Sequence, residues 1–290
     1  MTSGQFDAAA FKEQQRAAWD ATSHGWAGWR SEFERGAAGV TTRLLDLAGV
    51  RAGQRVLDVA TGHGDPAVSA AEVVGSDGHV VGVDISPGMI ETARKRAAGM
   101  ENIEFIEGDM ESVELPAGSF DVVLSRFGLM FATDHLAIFR ALTRVLVPGG
   151  VLAAAVWGGA EGAEEHLLSL GPAALVEHLE LPSPPPGVPT PFAMSDRDRV
   201  TDELAAVGFA RISVTDHVVP FRFPSVADYV SFNKEVLPPS MLGMIRDKFG
   251  SEDDEGTWAA VAAAAEKHVA DDGSVPLPST ALLVRAVAPE

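Results

Sequence analysis

The chain has 290 residues, with 22 basic and 41 acidic side chains and a formal net charge of −19. This charge repels nucleic-acid phosphates and anionic lipid headgroups, so neither nucleic acid nor a membrane surface is an expected partner. Cysteine is absent, which excludes disulfides, thiolate nucleophiles and cysteine-ligated metals.

The N-terminal segment has a helical pattern. Residues 7–48 alternate apolar and charged positions at helical spacing and predict two or three short helices, which we interpret as an N-terminal helical cap at 1–48. The first residues lack the basic and apolar regions of a signal peptide, and no apolar run is long enough to span a bilayer. We therefore expect a cytoplasmic protein.

Residues 55–157 alternate short β-rich runs with helical stretches. The predicted strands are RVLDVA, HVVGVD, IEFIEGD, FDVVLS and GVLAAAVW. The predicted helices between them lie at 66–74, 87–98 and 134–146. This alternation predicts parallel βαβ units, and hence an open α/β sheet with helices on both faces.

The C-terminal part continues the α/β pattern. A helix is predicted near 163–179, and a second helix is predicted to begin with Ser195 as its N-cap and to end at Gly208. The last two predicted strands are ARISVTDHVVPFRF and STALLVRAVAP.

About fifty residues separate those two strands, and they predict a helical insertion at 224–275. The Rossmann-like core then comprises 49–223 and 276–290. We interpret the insertion as a lid. The side chains expected to face substrate from this lid are Phe232, Met241, Met244 and Phe249.

A glycine turn follows the first strand, in the stretch VLDVATGHGDPA at 56–67. Gly62 and Gly64 can adopt backbone angles closed to other residues and allow a ligand to approach the main chain. In open parallel sheets, ligands bind beyond the carboxyl ends of the strands. The turn is therefore a candidate nucleotide-binding site.

The acids around this turn favour one cofactor class over another. Asp58 and Asp65 flank the place where a dinucleotide pyrophosphate would lie, and Ala67 replaces the third glycine of the dinucleotide pattern. S-adenosylmethionine carries an ammonium and a sulfonium cation, so it tolerates nearby carboxylates. The alternative is structural: Asp65 would cap the following helix, and Asp58 would accept bonds from backbone amides.

The ends of the second and third strands carry further acids. Asp84 could accept hydrogen bonds from both hydroxyls of a ribose, and Asp109 could accept one from an adenine amino group. Ile85, Met89 and Met110 could enclose the adenine ring. A methionine on a helix is equally typical of a hydrophobic core.

The ordered stretches VLDVATGHGDPA, VVGVDISPGMIETAR, IEFIEGDMESVELPAGSFDVVLSRFGLMF and ALTRVLVPGG together resemble the class I S-adenosylmethionine-dependent methyltransferases. The similarity is greatest to the small-molecule group that includes ubiquinone/menaquinone-biosynthesis and natural-product methyltransferases. The resemblance implies a seven-stranded sheet with an antiparallel last strand, and S-adenosylmethionine as cofactor.

The resemblance also implies roles for individual residues. Those expected to bind the cofactor are Asp58, Ala60, Gly62, Gly64, Asp84, Ile85, Met89, Asp109, Met110 and Ser125, with Arg126 beside the sulfonium. The turn departs from the usual glycine-cysteine-glycine pattern, since Ala60, Thr61 and His63 stand there instead. His63 is open to two roles, contact with the cofactor carboxylate or exposure to solvent.

Methyl transfer is an in-line displacement at an activated carbon, so a protein base is needed only if the acceptor must lose a proton. The candidate bases are His24 and His135, and the alternative for His135 is a surface position where a helix begins. The residues expected at the acceptor are Trp26, Arg126, Phe127 and Phe131, although helix-spaced aromatic residues are also typical of a core.

The predicted function is methyl transfer to an oxygen or carbon of a hydrophobic small molecule, such as a natural-product or quinone-like acceptor. SRFG stands where amino-group methyltransferases carry an Asn/Asp-Pro-Pro-Tyr/Phe signature, which disfavours amine methylation of DNA or RNA. The alternatives are a cyclase or related catalyst that binds the cofactor without transferring methyl, a non-catalytic binding module and a nicotinamide reductase. No His/Asp/Glu pattern calls for a metal, and a homo-oligomer is compatible with the sequence.

Overall fold

The computed structural model describes residues 7–159, 166–182 and 188–290. Two helices occupy the N-terminal segment, α1 at Ala8–Gly28 and α2 at Arg30–Ala48. They are longer than the short helices expected there. Asp7 begins α1 as its N-cap, because its carboxylate accepts from the first free backbone N–H groups of the helix.

The strands of the described residues form one sheet of seven. They are β1 Arg55–Val59, β2 His79–Asp84, β3 Ile103–Glu107, β4 Phe120–Arg126, β5 Leu146–Trp157, β6 Ala210–Phe223 and β7 Val275–Val287. Their spatial order is β3-β2-β1-β4-β5-β7-β6. Strands β1 to β5 pair with one another in parallel, and β7 pairs with β5 antiparallel. The predicted seven-stranded Rossmann-like α/β class is confirmed.

Three helices connect the parallel strands and pack against them. They are α3 Ala67–Val74, α4 Pro87–Arg96 and α5 His135–Val145, the last preceded by a short 3-10 helix at Leu129–Phe131. Helix α3 packs against β1 and β2, α4 against β2 and β3, and α5 against β5. This packing buries both faces of the inner strands, which explains their nearly continuous apolar sequences.

The remaining helices lie in the C-terminal part. They are α6 Leu170–Leu179, α7 Arg197–Ala206, α8 Val226–Val236, α9 Pro239–Phe249 and α10 Glu255–Glu266. Helix α6 begins later than the predicted helix near 163–179, of which residues 163–165 lie outside the described part. The N-cap of α7 is Asp196 and not Ser195, since the Asp196 carboxylate accepts from the backbone N–H of Arg199.

The chain divides into two compact units. The first takes the described residues within 1–37, 160–188 and 218–279, and the second takes 38–159, 189–217 and 280–290. The second unit contains strands β1 to β5 and the glycine turn. No helix among the described residues is both long and apolar enough to cross a membrane.

An aromatic cluster forms the centre of the first unit. The Trp26 ring lies 5.5 Å from Phe232 and 5.6 Å from Phe33, both edge-on. Phe232 is only 2% exposed and therefore serves as core of this unit, whereas Met244 is 45% exposed. The interpretation of 224–275 as a lid stays a prediction.

Candidate cofactor site

The glycine turn joins β1 to α3 at the carboxyl edge of the sheet, where the strand order reverses between β1 and β4. Ala60, Gly62 and Gly64 have φ angles of 54°, 54° and 91°. A β-carbon at Gly62 would meet no heavy atom within 4 Å. The glycine is therefore needed for its backbone angle, and the space beside it is open to a ligand.

Asp84 connects the end of β2 to this turn. Its Oδ2 accepts the backbone N–H of Gly62 at 2.8 Å, and its Oδ1 accepts the backbone N–H of Ser86 at 2.9 Å. Burial raises the pKa of this carboxyl, and the backbone hydrogen bonds partly oppose that rise. A carboxylate can accept about four hydrogen bonds, so Asp84 retains acceptor capacity for a ligand hydroxyl beside its bonds from the backbone.

Asp58 on β1 is a fully buried carboxyl group with a raised pKa. Its Oδ2 accepts the Thr61 hydroxyl at 2.5 Å and the backbone N–H of Ala67 at 3.1 Å, while its buried Oδ1 has no hydrogen-bond partner. Burial raises its pKa to about 7, although the Thr61 hydrogen bond and the charge of Arg126 lower it. The structural role expected for Asp58 thus accounts for only one of its two oxygens.

Asp65 differs from the expectation, because Arg96 compensates its charge. The guanidinium of Arg96 donates to both carboxylate oxygens, at 2.5 and 2.9 Å, and also to the backbone carbonyl of His63. This ion pair offsets part of the charge of Asp65 and so weakens the repulsion that we expected it to exert on an anionic ligand. The start of α3 is bonded by Asp58 instead, whose Oδ2 accepts the N–H of Ala67, the first residue of that helix. Asp58 is then the carboxyl that disfavours an anionic ligand at the turn.

The predicted adenine-binding residues lie at the ends of β2 and β3. Asp109 accepts the backbone N–H of Glu111 at 2.9 Å and the Ser112 hydroxyl at 3.2 Å, so its carboxylate orders the loop after β3. Met110 and Ile85 are half-buried there. Met89 is buried on α4, as a core residue would be.

The end of β4 carries the residues predicted beside the sulfonium and the acceptor. Ser125 is fully buried and donates its hydroxyl to the Val59 carbonyl at 2.8 Å, which ties β4 to β1. Arg126 donates to the Thr41 hydroxyl at 2.8 Å. Phe127, at a φ of 62°, stacks its ring on Trp157 with centroids 3.8 Å apart. Phe131 is half-buried and ends the 3-10 helix.

The two candidate bases have different surroundings. The Nδ1 atom of His135, the first residue of α5, lies 3.2 Å from the Glu203 carboxylate, which also pairs with Arg199. The side chain of His135 is 9% exposed. His24 is exposed on α1 of the first unit, as a residue facing solvent would be.

Sequence reasoning missed three side chains that shape this unit. Arg96 was not singled out, because nothing in its sequence position points to Asp65. Trp157 and Glu203 were not singled out, because their partners Phe127 and His135 are distant in sequence. Only pairing of β4 with β5, and of α5 with α7, brings them together.

These groups fit S-adenosylmethionine. Asp84 offers acceptors for the ribose hydroxyls, the buried Oδ1 of Asp58 offers one for a cationic group, and Gly62 leaves space beside the main chain. A pyrophosphate would need donors, which these two carboxylates do not supply. Among the described residues, no cluster of three or more His, Cys, Asp or Glu side chains could hold a metal ion.

Comparisons with known proteins agree with the site. Residues 56–150 match the family described as "Methyltransferase domain". The demethylmenaquinone methyltransferase of Staphylococcus aureus (strain MRSA252) is 38% identical over 110 residues, covering 38% of this chain and 46% of that protein. The chain thus spans about half the length of the curated relatives it matches. The predicted resemblance and the predicted cofactor are confirmed.

Solved structures show the same fold at low identity. Phosphoethanolamine N-methyltransferase 2 of Haemonchus contortus, in complex with S-adenosyl-L-methionine, aligns with a TM-score of 0.58 at 18% identity, covering all of this chain and 62% of that one. The [4+2]-cyclase SpnF aligns with a TM-score of 0.53 at 21% identity, covering 87% of this chain and 82% of that one. Both similarities concern the fold alone.

Proposed function

We propose, from the methyltransferase domain that residues 56–150 carry, that this protein transfers a methyl group to an oxygen or carbon of a hydrophobic small molecule. The observation that carries the proposal is the pair of buried carboxyls at the carboxyl ends of β1 and β2. Asp58 has a buried oxygen without a partner, and Asp84 is held beside Gly62 with acceptor capacity left. This pair suits a nucleoside with a cationic chain.

S-adenosylmethionine supplies a methyl group already activated by its sulfonium. The role of the chain is to bind and align. Asp84 would accept the ribose hydroxyls, and Asp58 would attract the cationic end of the cofactor. Held in this way, the methyl carbon would be aligned with the acceptor atom, the bond between them forming as the carbon–sulfur bond breaks, and a methylated acceptor and S-adenosylhomocysteine would be released.

A base completes the reaction where the acceptor must lose a proton. His135 is better supported than His24, because Glu203 lies at its Nδ1 and would orient the ring so that Nε2 accepts the proton. Its position at the start of α5, shortly after β4, agrees with an approach of the acceptor from the carboxyl edge of the sheet. His24 is the second candidate base, and its side chain is exposed on α1.

The acceptor class follows from apolar side chains and from the relatives. Phe127 and Phe131 follow the carboxyl end of β4 and are half-buried, which suits an apolar acceptor, and the buried Trp157 stacks on the Phe127 ring. The related bacterial proteins are named for methylation of demethylmenaquinone. A quinone-like or phenolic ring is therefore our proposed acceptor class, and the acidic net charge disfavours nucleic acid.

Calorimetry with S-adenosylmethionine, S-adenosylhomocysteine and NADH tests the cofactor part of this proposal. Micromolar binding of the first two and none of NADH is expected, and the reverse pattern would contradict it. Screening of hydrophobic phenols and quinols with detection of S-adenosylhomocysteine then tests the transfer. Conversion of an acceptor without S-adenosylhomocysteine release would instead favour the cyclase alternative.

A further inference from the structure

Arg96 is the last residue of α4, and its side chain reaches the glycine turn. The guanidinium forms a two-pronged ion pair with Asp65 and donates in addition to the His63 carbonyl. The two charged side chains are only 21% and 11% exposed. The two parallel bonds of a planar guanidinium fix both the distance and the orientation of the Asp65 carboxylate, whereas the ammonium group of a lysine would fix only the distance.

These contacts hold the turn at one end, and Asp84 holds it at the other. The Gly62 N–H donates to Asp84, and the Gly64 N–H donates to the Thr61 carbonyl at 2.9 Å. Arg96 donates to His63 and Asp65, the residues on either side of Gly64. The turn is therefore tied to both β2 and α4. Neither tie uses the open space beside Gly62.

We propose that Arg96 is a positioning residue for the cofactor turn: it holds residues 63–65 and compensates Asp65, so that Gly62 and Asp58 present their groups to the cofactor. The inference rests on the proposed function, because it assigns a role within the same site. Arg96 acts through Asp65 and His63 and contacts no reacting atom.

The charge of Arg96 has a second effect, on Asp58. The groups that face Asp58 are the Thr61 hydroxyl, the Ala67 N–H of α3, Arg126 from β4 and Asp65 from the turn. Among them, the charge of Asp65 raises the pKa of Asp58. Removal of Arg96 would take a positive charge away from Asp65 and would favour the neutral form of Asp58, which attracts a cation less.

The test compares Arg96→Gln with Lys95→Gln, the neighbouring exposed cation that pairs with Glu91. We expect Arg96→Gln to weaken S-adenosylhomocysteine binding about tenfold in calorimetry, and Lys95→Gln to leave it unchanged. In turnover assays, the KM for S-adenosylmethionine should rise while kcat at saturation stays within about twofold. Arg96→Lys, which keeps the charge but loses the fork, should fall between wild type and Arg96→Gln.

The double variant Asp65→Asn/Arg96→Gln tests how much of the affinity lost in Arg96→Gln is due to the charge of Asp65. It removes both charges and puts two amides in place of the ion pair, while the bond to the His63 carbonyl stays weakened, so we expect its affinity to lie between those of Arg96→Gln and wild type. Thermal unfolding without ligand verifies that each variant is folded. An Arg96→Gln affinity equal to wild type, or a double variant as weak as Arg96→Gln, would overturn the inference. Absence of cofactor binding by the wild type would instead overturn the proposed function.

Discussion

Gly128, just after β4, lies against Ala60 of the glycine turn: a β-carbon at position 128 would come 2.3 Å from the β-carbon of Ala60. Close by, the Ser125 hydroxyl donates to the Val59 carbonyl. The residues that end and follow β4 thus pack directly against the backbone at the start of the glycine turn. The conformation of the cofactor turn depends on the residues that follow β4.

We expect Gly128→Ala to destabilise the protein by about 1–3 kcal/mol, because the added methyl group must displace the turn. Cofactor affinity should fall with it. Chemical unfolding and calorimetry measure the two effects. Gly39→Ala on α2 is the control. A β-carbon at position 39 would lie 3.9 Å from the Nε2 atom of His217, which is an ordinary contact, and alanine favours a helix. Equal stability of the two variants would contradict the prediction.

Asp84→Asn should weaken S-adenosylmethionine binding at least about tenfold, because the amide group turns a donor toward one of two N–H groups and removes the charge. The matched control is Asp121→Asn. Asp121 is the second residue of β4, away from its carboxyl end, where it accepts the backbone N–H of Arg55. Isothermal titration calorimetry measures the S-adenosylmethionine affinity of both variants. A similar loss of affinity in each would refute a specific role for Asp84.

Asp58 makes the stability of the ligand-free protein depend on pH. Its pKa rises from an ordinary 3.8 to about 7 in the folded state, so folding favours its protonated form. This contribution is fully present below about pH 4 and is lost as the pH rises through about 7. Below about pH 7, the neutral carboxyl should also bind the cationic cofactor less tightly.

Asp58→Asn should therefore raise the Tm of the ligand-free protein at pH 8 by about 3 °C or more, and should raise it clearly less at pH 5. Its cofactor affinity should fall about tenfold at pH 8. Scanning calorimetry at the two pH values provides the measurement. A Tm increase of the same size at both would show that ionisation of Asp58 is not the cause.

His135→Gln should lower kcat by about a hundredfold for an acceptor that must lose a proton, with unchanged binding of S-adenosylhomocysteine. His24→Gln is the comparison, and we expect it to retain kcat within about threefold. Glu203→Gln should lower kcat less than His135→Gln, because it only orients the ring. Full activity of His135→Gln would assign the histidine a structural role between α5 and α7.

Several elements followed from local sequence. The runs at 55–59, 79–84 and 120–126 are strands because their apolar side chains are buried in a parallel sheet. Asp58, Gly62 and Asp84 were identified from their positions at or just after strand ends, and the structure joins Gly62 to Asp84 and Asp58 to the first residue of α3. Cap positions were less certain, as with Asp196 in place of Ser195, because neighbouring polar residues compete for the same N–H groups.

The sequence by itself determined the order of strands and helices, and with it the edge of the sheet where the glycine turn and its acids lie. Periodicity and strand ends are local properties, so they are readable without coordinates. Only the tertiary structure decided which charges count at the site. Arg96 pairs with Asp65, and burial leaves one oxygen of Asp58 without a partner. Both depend on contacts between residues distant in sequence and on exclusion of water, which no local pattern records.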